Sequence, residues 1–226
     1  MNIKSFTHIY LLGIGGIGMS ALARYFMSQN KKVYGYDKIK SDLTLKLEGE
    51  GIDISYSDNV NTIPSIFYTD DISHQLVIYS SAISDNRIYD YFSNNSFNIC
   101  KRAQALGLIS QHFYTIAIAG THGKTTTSIM LAHILKQANV DCTAFMGGIS
   151  QNYNTNFLLS NENNYMVVEA DEYDRSFLYL NPNIAIITSL DSDHLDIYGN
   201  YDELISSFKK FASQVKDDGC LIIEES

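Results

Sequence analysis

The chain has 226 residues, of which 45% are hydrophobic and 18% are charged, and this composition excludes extensive disorder. Its 16 Lys and Arg against 25 Asp and Glu give a formal net charge of −9, which argues against general nucleic-acid binding because that function needs a basic surface. No apolar run reaches the roughly 18–20 residues of a membrane span, so we expect a cytoplasmic protein that contacts no membrane.

Alternating apolar runs and helical patterns in the first half predict a parallel α/β sheet. The predicted strands cover residues 6–12, 32–36, 75–79 and 97–100. The predicted helices cover residues 18–28, 41–50, a stretch from 86 onward, and 102–109. The pattern restarts near 111–114, so we expect a Rossmann-like domain at 1–111 and a P-loop α/β domain at 112–226.

The second half repeats the same alternation. Strands are predicted at residues 114–119, 142–145, 165–169, 184–188 and 220–223. One predicted helix follows a glycine loop and ends near residue 137, and another covers residues 202–215. Six asparagines fall within residues 151–164, which predicts a loop or a short hairpin because Asn favours turns.

The three cysteines are Cys100, Cys142 and Cys220. They lie far apart, with neither a CxxC pair nor a histidine at ligand spacing beside them. Such a set is typical of buried thiols in a reducing compartment, and it argues against a disulfide framework or a zinc site.

A first glycine loop, Gly13-x-Gly15-x-x-Gly18, follows a predicted strand and opens a predicted helix, and Asp37 ends the next strand. This arrangement is the Rossmann fingerprint, in which glycines admit a pyrophosphate and the acid commonly holds a ribose hydroxyl. The pattern does not identify the nucleotide, because NAD, FAD and a UDP-sugar all present these groups. A glycine-rich turn without a ligand is the alternative.

A second glycine loop, Gly120-Thr-His-Gly123-Lys124-Thr125, also lies between a predicted strand and a predicted helix. It has the short GxxGK[ST] form of a phosphate loop. Backbone amides of such a loop cradle phosphates, Lys124 would contact the β- and γ-phosphates, and the Thr125 hydroxyl can bind Mg²⁺. The loop therefore predicts a protein that uses a nucleoside triphosphate.

Two further strands end in acidic or metal-binding residues. Glu169 ends one of them, where a Mg²⁺ ligand would be expected, and Asp171, Glu172 and Asp174 follow as capping or solvated acids. His194 lies among aspartates after the next strand, which favours a metal or phosphate role over a structural histidine.

With these features placed, the sequence resembles the Mur ligases of bacterial cell-wall synthesis. The matching segments, in the family's order and beside Asp37, are LGIGGIGMSALA, YSSAIS, KRAQAL, IAGTHGKTTT, VVEADEYDRSFLYLNP and ITSLDSDHLDIYG. They span almost the entire chain, so the resemblance is specific.

The resemblance implies an ATP-dependent ligase that joins L-alanine to UDP-N-acetylmuramate, with ATP and Mg²⁺ as cofactors. The muramate carboxylate would attack the γ-phosphate to give an acyl phosphate, and the L-alanine amine would then displace phosphate. The family also has a third, C-terminal domain that closes over ATP. We therefore expect the second domain of this chain to be incomplete, and the chain alone to bind the UDP substrate without ligating.

The resemblance also implies roles for individual residues. Lys124 and His194 would be catalytic, and Thr125, Glu169 and His194 would bind metal. The implied ATP contacts are Gly120, Thr121, His122, Gly123, Lys124, Thr125 and Thr126. The implied contacts to the UDP substrate are Gly13, Gly15, Gly16, Ile17, Gly18, Asp37, Ser80, Ser81, Ala82 and Arg102.

Other interpretations stay open at this point. Tyr173 stands where many L-alanine ligases have serine, and a tyrosine there also occurs in the related murein peptide ligase, which is one alternative. An NAD-dependent oxidoreductase would explain only the first loop, and a non-catalytic nucleotide-binding fragment is a third interpretation. Lys209 has the spacing of a lysine that is carbamylated in related ligases, but we expect a surface lysine. A homodimer is compatible with the sequence.

Overall fold

A computed structural model describes residues 1–69, 71–162, 164–191 and 198–224. The chain divides into two compact units, Met1–Ala105 and Leu106–Ser226, and each has its own sheet of mainly parallel strands. The mixed α/β fold predicted from the alternating apolar runs is therefore confirmed. Within the described residues, no helix is long and apolar enough to cross a membrane.

The first unit contains the strands β1 (His8–Leu12), β2 (Lys32–Tyr36), β3 (Asp53–Ser55), β4 (Gln75–Tyr79) and β5 (Asn98–Lys101). They are parallel and lie in the order β3-β2-β1-β4-β5. The four predicted strands are observed, and β3 is an addition that three residues are too few to reveal as a pattern. Because the order reverses beside β1, the loops after β1 and β4 leave the same end of the sheet as neighbours.

The helices of this region are α1 (Ile17–Ser28), α2 (Asp42–Gly49), α3 (Arg87–Asn94) and α4 (Arg102–Ser110), and the division between the units falls within α4. Ser41 and Thr44 form a capping box at the start of α2, and Asn86 caps α3 through the Tyr89 amide. No side chain caps the start of α1, which follows Gly16. An uncapped helix start next to a strand end is suited to bind an anion.

An aromatic cluster fills one side of the first unit. Tyr10 of β1 packs against Phe67 and Phe92, with ring centroids 5.4 and 5.0 Å apart, and Phe92 packs edge-on against Phe97 at 4.9 Å. These rings are buried, and burial of each stabilises the fold by about 1.5–3 kcal/mol. The cluster therefore fixes β1, and with it the loop that follows β1, against α3.

The second unit contains β6 (Tyr114–Ala119), α5 (Lys124–Gln137), β7 (Cys142–Ser150), β8 (Thr155–Leu158), β9 (Tyr165–Glu169), β10 (Ile184–Ile187), α6 (Tyr201–Ala212) and β11 (Cys220–Ile223). The sheet order is β11-β10-β6-β9-β7-β8, and the pairings are parallel except between β7 and β8. The strand before the second glycine loop, β6, thus lies between β9 and β10. The apolar side chains of β6, β7 and β9 pack with α5 into the core of this unit.

The asparagine-rich segment is a hairpin, one of the two predicted forms. β7 runs to Ser150, five residues beyond its predicted end at 145, and pairs with β8 after a tight turn. The turn contains Asn154 in a left-handed conformation (φ 51°), and its amide donates to the Ser150 carbonyl at 2.7 Å. The extra length of β7 was not predicted, because Gly147 and Gly148 are residues that strands usually lack.

The described packing predicts that only Cys220 reacts rapidly with a thiol reagent at pH 8. Burial raises the pKa of Cys100 to about 12 and that of Cys142 to about 11, so their reactive thiolates are scarce at that pH. Cys220 is exposed, contrary to the sequence-based expectation of a buried thiol. A colorimetric titration should show one fast thiol in the folded chain and all three in denaturant. Two or three fast thiols in the folded chain would contradict this packing.

Candidate active site

The first glycine loop turns sharply at the end of β1. The amides of Gly13 and Ile14 both donate to the Tyr36 carbonyl at the end of β2, at 2.8 and 3.1 Å, and the Gly16 amide donates to the Gly13 carbonyl at 3.1 Å. Gly13 has a φ of +83°, which an L side chain rarely adopts. The turn leads directly into α1, so the loop places backbone amides and the positive end of a helix dipole at the end of the sheet.

Asp37 supports this loop. One of its carboxylate oxygens accepts a hydrogen bond from the Gly15 amide at 2.7 Å, and the other accepts from the Ile39 amide at 3.0 Å. A Cβ on Gly15 would lie 2.9 Å from that first oxygen and 2.8 Å from Thr44 Cγ2. The sequence predicted Gly15 for close approach of a pyrophosphate. The structure shows that Gly15 is also needed for close approach of Asp37.

The remaining candidates for the first site lie around the same loop. A Cβ on Gly13 would lie 3.2 Å from Ser80 Cβ, and a Cβ on Gly18 would lie 2.8 Å from Arg102 Nη1. The Ser80 amide donates to the Leu12 carbonyl at 3.1 Å, which joins the turn after β4 to the end of β1. Ser81 and Ala82 follow in that turn. The structure therefore brings the predicted glycines, Asp37, the serine turn and Arg102 to one end of one sheet.

The second glycine loop joins β6 to α5. Gly120 has a φ of +135° and Gly123 a φ of +82°, and no side chain caps α5 after Gly123. Ser189, which follows β10, binds the loop through two hydrogen bonds. Its carbonyl accepts from the Thr121 amide at 3.0 Å, and its hydroxyl accepts from the His122 amide at 2.8 Å. A Cβ on Gly120 would lie 2.2 Å from Thr188 Oγ1. Sequence reasoning missed these two residues after β10, although hydroxyl side chains at a strand end were a usable signal.

Lys124 is the first residue of α5, and its ammonium contacts three acceptors. Nζ donates to the carbonyls of Gly120 at 2.6 Å and Thr121 at 3.3 Å and to Glu172 Oε1 at 2.9 Å. The Lys124 side chain is 14% exposed and the Glu172 side chain 0%. Burial raises the pKa of the Glu172 carboxyl above its ordinary value, and the hydrogen bond from Lys124 acts in the opposite direction. The sequence placed Glu172 only among several capping or solvated acids.

Glu169, at the end of β9, faces Thr125. The Thr125 hydroxyl donates to Glu169 Oε1 at 3.0 Å, and the Gly147 amide donates to Oε2 at 2.9 Å. Ser128, one turn further along α5, reaches the same carboxylate at 3.5 Å. A Cβ on Gly147 would lie 2.3 Å from both carboxylate oxygens. A hydroxyl and a carboxylate at this distance are a suitable pair of oxygen ligands for a divalent cation.

Two histidines were also predicted for this site, His122 for the loop and His194 for a metal. His194 belongs to residues 192–197, which lie outside the described residues, so its metal role stays a prediction. His122 is exposed and its Nε2 lies 3.9 Å from Asp191 Oδ2. Within the part of the chain that the structure describes, no group of three or more His, Cys, Asp or Glu side chains surrounds a common metal position. Lys209 is exposed on α6, as the sequence predicted for a surface lysine.

Comparison with known proteins places both units in one family. The model described as "Mur ligase family, catalytic domain" matches residues 8–114, and the model described as "Mur ligase middle domain" matches residues 118–226. Curated relatives include a UDP-N-acetylmuramate–L-alanine ligase from Parabacteroides distasonis, 50% identical over the whole chain, and one from Flavobacterium johnsoniae, 51% identical over 99% of it. The chain spans about half the length of the curated relatives it matches, 48% and 49% of these two.

Two solved structures show the same fold. The UDP-N-acetylmuramate-alanine ligase MurC from Thermotoga maritima has a TM-score of 0.78 and 30% identity, over 96% of this chain and 48% of that one. The UDP-N-acetylmuramate:L-alanyl-gamma-D-glutamyl-meso-diaminopimelate ligase from Neisseria meningitides has a TM-score of 0.85 and 25% identity, over 97% of this chain and 71% of that one.

The contacts of the first loop predict unequal effects of two adjacent substitutions. Gly15→Ala should lower the free energy of unfolding by about 1–3 kcal/mol, because the added methyl overlaps Thr44 and Asp37. Gly16→Ala is the matched control, since the nearest atom to its methyl would be the Gly13 carbonyl oxygen at 3.4 Å. Its cost should be about 0.5–1 kcal/mol, that of a less favourable helix cap. Urea unfolding followed by circular dichroism measures the free energy of unfolding of both variants. Equal values would contradict the close approach of Thr44 and Asp37 to Gly15.

Proposed function

The chain belongs to the Mur ligase family, and from this membership we propose that it forms the substrate-binding and ATP-binding part of a UDP-N-acetylmuramate–L-alanine ligase. The observation that carries the proposal is the convergence of Lys124, Thr125 and Glu169 on one glycine loop, a constellation suited to phosphoryl transfer from MgATP. Two curated L-alanine ligases are 50% and 51% identical in sequence to the chain, which supports the L-alanine ligase among the members of the family. A cytoplasmic location is part of the same proposal.

We assign UDP-N-acetylmuramate to the first glycine loop. Backbone amides at the N terminus of α1, which begins directly after Gly16, would bind the diphosphate, and Arg102, which lies beside Gly18, would add a cation. Asp37 holds the Gly15 amide and so keeps the turn in shape, while the turn at Ser80–Ala82 would border the uridine half. These roles are inferred from position in one unit of the chain.

We assign MgATP to the second glycine loop. Backbone amides at the N terminus of α5, which begins directly after Gly123, would bind phosphate oxygens, and Lys124 would contact the transferred group. Thr125 and Glu169 would supply oxygen ligands to Mg²⁺, and His194 stays a predicted further metal residue. The ion would neutralise charge that develops on the phosphate during transfer.

The proposed reaction has two steps. The carboxylate of UDP-N-acetylmuramate attacks the γ-phosphate of ATP, releases ADP and forms an acyl phosphate. The amine of L-alanine then attacks the acyl carbon, and inorganic phosphate leaves. In the first step, Lys124 stabilises the charge on the transferred phosphoryl group. A hydrogen-bond donor held in place stabilises such charge most strongly where water is excluded.

A second acceptor is the main alternative. Tyr173, which the L-alanine ligases commonly replace with serine, is 42% exposed beside Glu172, and the Neisseria peptide ligase matches this fold with a TM-score of 0.85. We place this alternative second because two L-alanine ligases are 50% and 51% identical to the chain over the aligned residues, whereas the peptide ligase is 25% identical. The two curated relatives named above are ligases, and an oxidoreductase would leave the second loop without a function, so we do not propose one.

The acceptor assay tests the proposal directly. We expect the complete protein, with MgATP and UDP-N-acetylmuramate, to release phosphate and form an amide product when L-alanine is added. Mass spectrometry would identify the product. Release that requires L-alanyl-γ-D-glutamyl-meso-diaminopimelate instead of L-alanine would establish the peptide ligase alternative. No acceptor-dependent release with either compound would refute ligation.

Lys124→Ala tests the second loop. Loss of one preorganised donor to the transferred group should lower kcat of the complete protein about 10²–10³-fold. Lys136→Ala is the control, because Lys136 lies in the last turn of the same helix and contacts the Tyr153 ring rather than the loop. Steady-state kinetics at saturating substrates compares the two. If both variants turn over like the wild type, Lys124 has no part in the transfer.

A further inference from the structure

The ammonium of Lys124 is already fully hydrogen-bonded by the protein. It has three N–H donors, and it contacts the Gly120 carbonyl, the Thr121 carbonyl and the Glu172 carboxylate. The carboxylate is the charged member of this set, with its two oxygens 2.9 and 2.8 Å from Nζ. A phosphate oxygen can therefore bind to Lys124 only by replacing one of these acceptors or by sharing a donor with it.

The backbone around Glu172 is built to hold its side chain inward. The Glu172 carbonyl accepts from the Arg175 amide at 2.9 Å and from the Tyr198 hydroxyl at 2.6 Å. Asp174 and Arg175 are both left-handed, with φ of 53° and 54°, although neither is glycine. Two such residues in succession cost free energy, and they persist only where the surrounding contacts enforce them. The position of the Glu172 backbone is thus imposed by the surrounding contacts.

The charge of Glu172 acts against the binding of an anion at Lys124. The ammonium and the carboxylate together carry no net charge, so a polyphosphate that approaches the pair gains less Coulomb energy than it would from Lys124 alone. The same carboxylate keeps the long Lys124 side chain in one position in a largely buried place. Glu172 therefore lowers the affinity of Lys124 for phosphate and fixes the position of the Lys124 side chain.

We propose that Glu172 is a positioning residue for Lys124, and that nucleotide phosphates bind the Lys124 ammonium in competition with the Glu172 carboxylate. This inference rests on the proposed function, because it requires a nucleotide at the second loop. It adds a residue that acts through Lys124 and is separate from the proposed metal ligands Thr125 and Glu169. A purely structural Glu172 would instead affect nucleotide binding only by loosening the fold.

A double-mutant cycle distinguishes these roles. Calorimetry measures the Kd of the complete protein for a non-hydrolysable ATP analogue with Mg²⁺, in the wild type, Glu172→Gln, Lys124→Ala and the double variant. Gln keeps the size of the side chain and one acceptor oxygen for Lys124, and it removes the charge. We expect Glu172→Gln to bind the analogue about fivefold more tightly than the wild type, and to change affinity less than twofold when Lys124 is already Ala.

The outcomes distinguish the nucleotide site from the role of Glu172. Failure of the wild type to bind the analogue would refute the nucleotide site itself. If the wild type binds the analogue, two results would overturn the role of Glu172 and leave the nucleotide site intact. One is that Glu172→Gln leaves the affinity unchanged or lowers it. The other is that Glu172→Gln raises the affinity by the same factor when Lys124 is Ala. If Glu172→Gln does not fold, Tyr198→Phe takes its place. It removes one donor from the Glu172 carbonyl, and it should tighten binding in the same Lys124-dependent way; unchanged or weaker binding would overturn the role.

Discussion

In both units, an acidic side chain at the end of a strand is held by the amide of a glycine. Gly15 donates to Asp37 at 2.7 Å in the first unit, and Gly147 donates to Glu169 at 2.9 Å in the second. In both places a Cβ on the glycine would overlap the carboxylate it binds. The rest of each site is arranged around this contact, because the position of the acid fixes the shape of the first loop and the partner of Thr125 in the second.

The two acids near the second loop illustrate how burial separates neighbouring residues of one type. Glu169 lies at the end of β9 and meets the hydroxyl of Thr125, so it is suited to share a cation. Glu172, three residues further, is completely buried and meets an ammonium. A strand ending followed by a tight turn directs the two side chains to different partners. The acidic sequence that carries them therefore places one carboxylate beside the Thr125 hydroxyl and the other beside the Lys124 ammonium.

The local parts of this architecture could be predicted from the sequence, and the long-range contacts could not. Gly13, Gly120 and Gly123 indicate their turns, because glycines at this spacing between a strand and a helix are typical of phosphate-binding loops. The partner of Glu172 depends on a contact across 48 residues of chain, and periodicity carries no information about it. The extension of β7 through Gly147 could not be predicted for a different reason. Glycine is unfavourable in strands unless another group approaches the backbone closely, as the Glu169 carboxylate does here. His194 lies outside the described residues, and its role rests on position in the sequence.

The strand order of the second unit has a consequence for folding kinetics. β6 and β7 are joined directly by α5, yet β9, which is made later in the chain, lies between them in the sheet. The β7–β8 hairpin can form from local contacts, but it can join β6 only after β9 has inserted, and such non-local pairing is slow. Because β9 carries Glu169, the carboxylate reaches Thr125 in the same event that completes the sheet. A partly folded second unit would therefore contain the glycine loop without the Glu169 carboxylate, so the proposed MgATP site would be completed only together with the finished fold.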